Sequence, residues 1–337
     1  MKKKVFITGS SGFIGFHTAK KFLDRGFKVH GFDSMNNYYD VSLKRSRLNI
    51  LKKYRYFSFT KNSIENEKKL NDSIKKFKPF VIIHLAAQAG VRYSIEKPRV
   101  YLDSNITGTY NIIELAKKVN VKHLLIASSS SVYGANKKLP FKESDGVDHP
   151  VSIYAATKKA NELMAHTYSH LFGLPCTGLR FFTVYGPWGR PDMAPMIFTK
   201  AILEKKPIKI FNHGKMSRDF TYIDDVSETI FRLMSKPASS NDNFQKDNPN
   251  PSISWAPYRI FNIGNSNKVP LMKFINCLEK SLGVNAIKHF EELQAGDVKS
   301  TEANTDPIED WTGFKPNTPI DEGVEKFVIW FKKYYRY

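Results

Sequence analysis

Short apolar runs alternate with longer amphipathic segments through the first half of the chain. Lys4 to Thr8 reads as a strand, Phe13 to Arg25 as a helix and Lys28 to Phe32 as a second strand, a βαβ unit of ordinary length. The alternation continues with a strand from Phe80 to Leu85, a helix from about Tyr101 to Val119 and a strand from Leu124 to Ala127. A helix from about Ile153 to Phe172 and a strand from Cys176 to Phe181 follow. Strands that alternate with helices predict an α/β fold with a doubly wound parallel sheet.

Past about residue 180 the punctuation changes. "YGPWGRPDMAP" carries two glycines and three prolines, which marks an ordered loop held by a scaffold. Residues 237–257 are polar and proline-rich and read as an exposed excursion before the strand Tyr258 to Ile263. The expected division is a first domain over 1–180, with segments near 222–236 and 258–265 returning to it, and a smaller α/β lobe over 181–337.

The 337 residues are 41% hydrophobic and 25% charged, which suits a globular chain with a large core. The longest apolar stretch, around Val81 to Val91, is too short and interrupted to span a bilayer, so no membrane is expected. The basic Met1-Lys-Lys-Lys start leads only into Val5 to Ile7 before glycines intervene, which argues against secretion. Cys176 and Cys277 build no disulfide framework and suit a reducing cytoplasm. A formal charge of +20 raises the question of nucleic acid. The lysines are scattered, however, as pairs such as Lys20-Lys21, Lys75-Lys76 and Lys205-Lys206. No nucleic-acid partner is expected; a polyanionic small molecule suits the same charge.

Three constellations carry chemistry. "TGSSGFIG" sets Gly9, Gly12 and Gly15 at a strand-to-helix turn, where backbone can approach a pyrophosphate and the helix N-terminus attracts its charge. Alone it is also a common tight turn. Asp33 ends the second strand, where a carboxylate binds adenosine ribose hydroxyls and repels a 2′-phosphate, favouring NAD over NADP. This is the Rossmann-type pattern. "SIYAATKK" sets Tyr154 and Lys158 four apart on one helix face. An isolated pair of this kind also occurs on solvated helices. A cation about 5 Å from the phenol favours its ionised form by roughly 3 kcal/mol at an effective dielectric of about 20, on the order of two pKa units. The third is "ASSSSVYG", four serines at the end of a buried strand, where open α/β sheets bind ligands.

In this order, the glycine turn, Asp33, "HLAA" (84–87), the serine run and the Tyr154/Lys158 pair resemble the extended short-chain dehydrogenase/reductase superfamily, over nearly the whole chain. Within it, "NNYYDVSLKRSRL", "HLAAQAGVRYS", "SSSSVYGAN", "YAATKKANELMAHTYSHL", "GLRFFTVYGPWGRPDMA" and "FNHGKMSRDFTYIDD" look like the UDP-glucuronate 4-epimerases of bacterial capsule and lipopolysaccharide pathways. The resemblance implies NAD as a tightly bound group, a UDP-sugar substrate and reversible C4 epimerisation of UDP-glucuronate to UDP-galacturonate through a 4-keto sugar. The alternatives are a UDP-glucose or UDP-N-acetylhexosamine 4-epimerase and, more remotely, a UDP-glucuronate decarboxylase. A homodimer is expected.

The roles it implies are specific. Tyr154 and Lys158 match the catalytic pair, and Ser129 matches the hydroxyl that bonds both the reacting C4 hydroxyl and the phenol. Gly9, Gly12, Phe13, Ile14, Gly15, Asp33, Ser63, Ile64, Leu85, Ala86, Ala87 and Asn105 match positions lining the dinucleotide. Arg218 matches the arginine that grips the diphosphate, Ile210 and Phe211 fall in the uracil-side strand, and Gln294 and Asp297 fall in a nucleotide-binding loop. Arg190, with Ser129, Ser130 and Thr183 as small donors, is read as receiving the C6 carboxylate, although a solvated loop arginine is the plainer alternative. Arg92 is a second candidate for carboxylate or phosphate. His84 and His123 are read as core residues, Met193 and Met196 as packing, and no metal-ligand spacing occurs.

Three positions depart from the pattern. Ser63 stands where many relatives have an aspartate, Thr183 replaces an asparagine, and "EELQAGD" lacks a proline before its glycine. Oxidation of glucuronate at C4 gives a β-keto acid, which loses carbon dioxide when its carboxylate stands perpendicular to the ketone. Related dehydratases and decarboxylases carry a glutamate just before Val-Tyr-Gly, where this chain has Ser131.

Overall fold

The computed structural model describes residues 3–294 and 297–337. Its strands are β1 (Lys4–Thr8), β2 (Lys28–Asp33), β3 (Phe57–Lys61), β4 (Val81–His84), β5 (His123–Ser129), β6 (Cys176–Phe181), β7 (Thr183–Tyr185), β8 (Ile208–Phe211), β9 (Ser217–Tyr222), β10 (Tyr258–Ile263), β11 (Lys268–Pro270) and β12 (Lys288–Glu291). Seven of them form one sheet in the order β3-β2-β1-β4-β5-β6-β10. Every pair in it is parallel. Central strands are buried on both faces, which is why β4, β5 and β6 read as continuous apolar or small-residue runs.

Chain order reverses between β1 and β4, opening a crevice at their carboxyl ends. The register sets Thr8 beside both Phe32 and His84, and Ser129 beside Phe181. The ends of β1, β2, β4, β5 and β6 therefore lie along one edge. β10 joins this sheet beside β6. The helix Ile223–Met234 packs on the helix Phe13–Asp24, with the Phe22 and Phe231 rings 5.3 Å apart. Beyond the crevice, β7 and β11 flank β9, and β8 pairs with β12. Phe220 stacks on Phe274 at 4.6 Å in that region's core.

The predicted strands and helices of the first half are all present. The helix expected from Tyr101 to Val119 differs in form: a π-helical segment, Leu102–Gly108, precedes the α-helix Thr109–Lys118. The wider turn of this segment packs against the helix Ile153–Phe172, where the Asn105 amide donates to the Thr157 hydroxyl at 3.1 Å. β5 runs on through Ser128 and Ser129, and Ser130–Tyr133 forms one 3-10 turn. The helices Val41–Leu51 and Glu67–Phe77 and the edge strand β3 add to the elements expected from the sequence. The helix Glu67–Phe77 buries only Leu70 and Ile74. Among the described residues no helix is long and apolar enough to cross a membrane.

Candidate active site

Gly9 takes φ +69°, and a Cβ there would lie 2.8 Å from the Ala86 nitrogen. A Cβ on Gly15 would strike the Gly9 carbonyl. β1, its turn and the loop after β4 thus close on one another only without side chains. Gly12 caps the helix Phe13–Asp24 with no side-chain bond, and no acidic residue occupies the first turn. The N–H groups of that turn have no helical acceptor and face a cavity. Asp33 receives the Ser11 N–H at 2.9 Å on one carboxylate oxygen and the Met35 N–H at 2.8 Å on the other. Each oxygen keeps a lone pair for a ligand hydroxyl. This bare helix end beside a fixed, buried carboxylate fits a dinucleotide with a free ribose 2′-hydroxyl.

The same cavity, about 1390 Å³, continues past the serines into the second lobe, with room for more than one small ligand. The serines divide their work by strand alternation. Ser128 points back and donates to the Glu162 carboxylate at 2.6 Å. Ser129 faces the cavity, accepts the Ser131 N–H at 3.2 Å and donates to the Ser131 hydroxyl at 3.2 Å, and Tyr154 lines the same wall. Ser130 and Ser131 line the wall beyond.

Ser152 accepts the Ala155 N–H at 3.1 Å, which starts the helix Ile153–Phe172 and aims Tyr154 inward. One turn on, Lys158 donates to the Ala127 carbonyl at 2.8 Å. Burial draws the Lys158 ammonium down to about 8, and the Glu162 charge offsets part of the fall. The sequence offers Lys158, together with a charged nicotinamide, as the cations that acidify Tyr154. Burial raises the Tyr154 phenol above its usual value, and the groups that pull it back are the Ser129 hydroxyl and the Arg190 charge.

Arg190 lines the cavity and is already paired. Its Nε donates to Asp192 at 3.1 Å and its Nη2 donates to the other carboxylate oxygen, which Tyr38 also reaches at 3.2 Å. Burial works against the Arg190 charge, and Asp192 more than restores it. Any ligand carboxylate there shares the guanidinium with Asp192.

At the far end, Arg92 donates to Asp297 at 2.8 Å and lies 5.0 Å over the Phe211 ring. Arg218 donates to the carbonyl of Ser217 at 2.9 Å. Burial lowers the Arg218 value, Asp297 partly offsets this, and the like charge of Arg92 adds to it. Two guanidiniums that repel each other across a cavity form a receptor for a polyanion. The Gln294 Oε1 is buried with no hydrogen-bond partner among the described residues, an acceptor awaiting a donor. Arg92 therefore stands with the phosphate-binding end and not with Arg190.

Of the residues singled out from sequence, Gly9, Gly12, Phe13, Ile14, Gly15, Asp33, Ser63, Ile64, Leu85, Ala86 and Ala87 line the cavity. So do Ser129, Ser130, Tyr154, Lys158, Thr183, Arg190, Arg92, Phe211, Arg218, Gln294 and Asp297. Two do not. Asn105 is fully buried behind the wall, where its amide donates to the Gln88 carbonyl and the Thr157 hydroxyl and its oxygen accepts the Gln88 N–H. It braces the loop after β4 against the catalytic helix. Ile210 is fully buried because β8 alternates, turning Lys209 and Phe211 the other way. The missing proline before Gly296 lies outside the described residues.

His84 sits between the Thr8 and Thr109 hydroxyls at 2.8 and 3.0 Å, and burial holds it neutral with a value of about 3. Among the described residues no cluster of His, Cys, Asp or Glu is placed to hold a metal. Sequence reasoning missed Asp192, Tyr38 and Lys44, which also line the cavity. Their signals were the aspartate two positions after Arg190 and the aromatic-basic cluster in "NNYYDVSLKRSRL".

Comparison with known proteins agrees with this geometry. A family model described as NAD dependent epimerase/dehydratase family matches residues 5–264. The protein CapI of Staphylococcus aureus is 55% identical over 333 residues, 99% of each chain. The UDP-glucuronate 4-epimerase 1 of Arabidopsis thaliana is 45% identical over 344 residues, covering 99% of this chain and 77% of that one. A crystal structure of UDP-glucuronic acid 4-epimerase from Bacillus cereus in complex with UDP-glucuronic acid and NAD superposes with a TM-score of 0.88 at 31% identity, covering 98% of this chain and 100% of that one.

Proposed function

This chain belongs to the NAD dependent epimerase/dehydratase family, and we propose that it catalyses the reversible C4 epimerisation of UDP-glucuronate to UDP-galacturonate. The observation that carries the reading is one continuous cavity with Ser129, Tyr154 and Lys158 in its wall. Asp33 and the bare helix end lie at one extreme of it, Arg92 and Arg218 at the other.

Gly12, Phe13, Ile14 and Asp33 would hold NAD, with Leu85, Ala86 and Ala87 against its far side. Bound NAD supplies a reversible acceptor for the C4 hydride. The protein does the rest. Arg218 and Arg92 anchor the diphosphate, and Phe211 offers its face to the base. Ser129 aligns the C4 hydroxyl with Tyr154, whose phenolate takes the hydroxyl proton and later returns it. Lys158, held by Ala127, keeps a positive charge beneath the site. The resulting 4-keto sugar turns about its diphosphate link, so that C4 is reduced on the opposite face. Ser129, Ser130, Thr183 and Arg190 receive the C6 carboxylate with uncharged or positive groups, which restrains it from the orientation that releases carbon dioxide.

The division of labour we propose is residues 1–180, with 222–236 and 258–265, for NAD, and 181–337 for the UDP-sugar. β10 lying beside β6 supports the returning segment. We place the enzyme in the cytoplasm as a homodimer. Leu102 and Tyr110 on one helical segment and Ile153 and Leu163 on its neighbour are exposed apolar residues, suited to a second copy of this chain.

The test is to offer UDP-glucuronate, UDP-glucose and UDP-N-acetylglucosamine separately and identify the products by NMR. UDP-galacturonate as the dominant product supports the reading. Faster conversion of either neutral sugar overturns it.

A further inference from the structure

"NNYYDVSLKRSRL" contains an arginine for which the reaction has given no use. Arg47 is fully buried, yet it makes no ion pair among the described residues; four oxygens accept from its two terminal nitrogens, and its Nε has no partner among the described residues. Its Nη1 donates to the Ser11 carbonyl at 3.0 Å and the Tyr39 hydroxyl at 2.9 Å. Its Nη2 donates to the carbonyls of Trp188 at 2.6 Å and Gly189 at 3.1 Å. A fifth side-chain contact extends the pattern: the His17 Nε2 donates to the Pro187 carbonyl at 2.9 Å. Burial keeps His17 neutral, with a value of about 3, so that bond holds across the working pH range.

Three consecutive carbonyls, those of Pro187, Trp188 and Gly189, are thus gripped from the dinucleotide half, and the next residue is Arg190. The segment needs gripping. Trp188 takes φ +62°, a left-handed conformation that costs a bulky residue on the order of 1–3 kcal/mol. Its ring is wedged against Phe16 at 5.6 Å and Trp330 at 5.3 Å. Arg47 also reaches the glycine turn, since the Ser11 peptide gives its N–H to Asp33 and its carbonyl to Arg47.

We propose that Arg47, assisted by His17, is a positioning residue that fixes Arg190 against the sugar pocket by holding the backbone before it. A planar fork presents its donors in fixed directions to carbonyls on two elements, whereas a lysine ammonium offers rotatable ones. The Arg190 charge also draws the Tyr154 phenol downward, so displacement of Arg190 has a second readout.

The inference rests on the epimerase reading, and its test separates the two. In a Tyr154→Phe background, binding of UDP-glucuronate and of UDP is measured by calorimetry for Arg47→Gln, Arg190→Ala and the double variant. Arg47→Gln is expected to weaken UDP-glucuronate about tenfold, as for loss of one charged hydrogen bond, while UDP changes less than about twofold. The double variant is expected to bind no more weakly than Arg190→Ala, because the two act as one unit. With Tyr154 restored, the falling limb of kcat/KM against pH, set by the higher Tyr154 ionisation, should move to higher pH in both single variants. Losses that multiply in the double variant, equal weakening of UDP and UDP-glucuronate, or an unmoved pH limb each overturn the proposal. Should Arg47→Gln fail to fold, His17→Ala carries the same cycle, with a smaller loss expected. If the unaltered enzyme prefers UDP-glucose, the substrate reading falls, and the pH limb measured on UDP-glucose still decides the role of Arg47.

Discussion

The Lys158 ammonium and the Ala127 carbonyl, 2.8 Å apart, tie the catalytic helix to the strand that ends in the serines. Catalysis needs Tyr154 deprotonated while Lys158 still carries its proton. Burial places the loss of that proton at about 8, and Glu162 holds it up from lower still. Because Tyr154 is held above Lys158, the singly deprotonated enzyme that contains the active form accumulates as pH rises through this range, so kcat/KM should rise there and fall only at higher pH. Glu162→Gln removes the supporting negative charge and should shift the rising limb to lower pH. Rate profiles of the two proteins check this, and coincident limbs would contradict it.

Tyr154→Phe removes the base and leaves the diphosphate grip at Arg218 and Arg92 intact. Turnover should drop by about 10²-fold or more, the ordinary contribution of a general base. UDP affinity, measured by calorimetry, should not change. A variant that keeps more than about a tenth of the rate would remove Tyr154 from the mechanism.

Arg180 and Glu162 form a doubly hydrogen-bonded pair, at 2.9 Å through both contacts, with side chains 0% and 3% exposed. Arg180→Met leaves a buried carboxylate unpaired and should cost about 3–5 kcal/mol in denaturant unfolding. The double change to methionine at both positions should cost less than this single one. The reverse order would show that the pair itself, and not the stranded charge, sets the stability.

Asp33 has both carboxylate oxygens fixed by backbone N–H groups in the turn that faces the ribose. Denaturing the purified enzyme should release NAD(H) and little NADP(H), and Asp33→Ala should come away with much less nucleotide. Chromatography of the released material decides it; a majority of NADP(H) would be incompatible with this geometry.

Ser131 lines the cavity beside Ser129 and is linked to it through both backbone and hydroxyl. Replacing it with glutamate puts a negative charge near the substrate carboxylate. Ser131→Glu should slow epimerisation, and the unaltered enzyme should form almost no UDP-pentose. Time-resolved NMR distinguishes the products, and a substantial 4-keto-pentose signal from the unaltered enzyme would make it a decarboxylase.

Much of this site is local in the chain. A strand, a glycine turn and a helix start fix the phosphate end within a dozen residues, so "TGSSGFIG" and Asp33 could be read directly. Helix periodicity puts Tyr154 and Lys158 on one face without reference to anything else. Strand alternation likewise separates Ser128 from Ser129 once the strand is known to continue that far. These features were legible because their geometry depends on neighbours one to four residues away.

What the tertiary structure decided is whatever depends on contacts between distant segments. Asn105 and Ile210 carry the residue types expected in a ligand wall, yet a π-helical turn braced through Gln88 and Thr157 and the alternation of β8 turn them into the interior. Arg190 reads as a free cation until Asp192 and Tyr38 are brought against it. Arg47 reads as one basic residue among many; only folding sets it beneath Trp188 and Gly189, 141 and 142 residues away in the chain. Composition and periodicity record which face of an element is buried. They do not record which segment covers it, and partners, charges and proton affinities at this site are set by that covering segment.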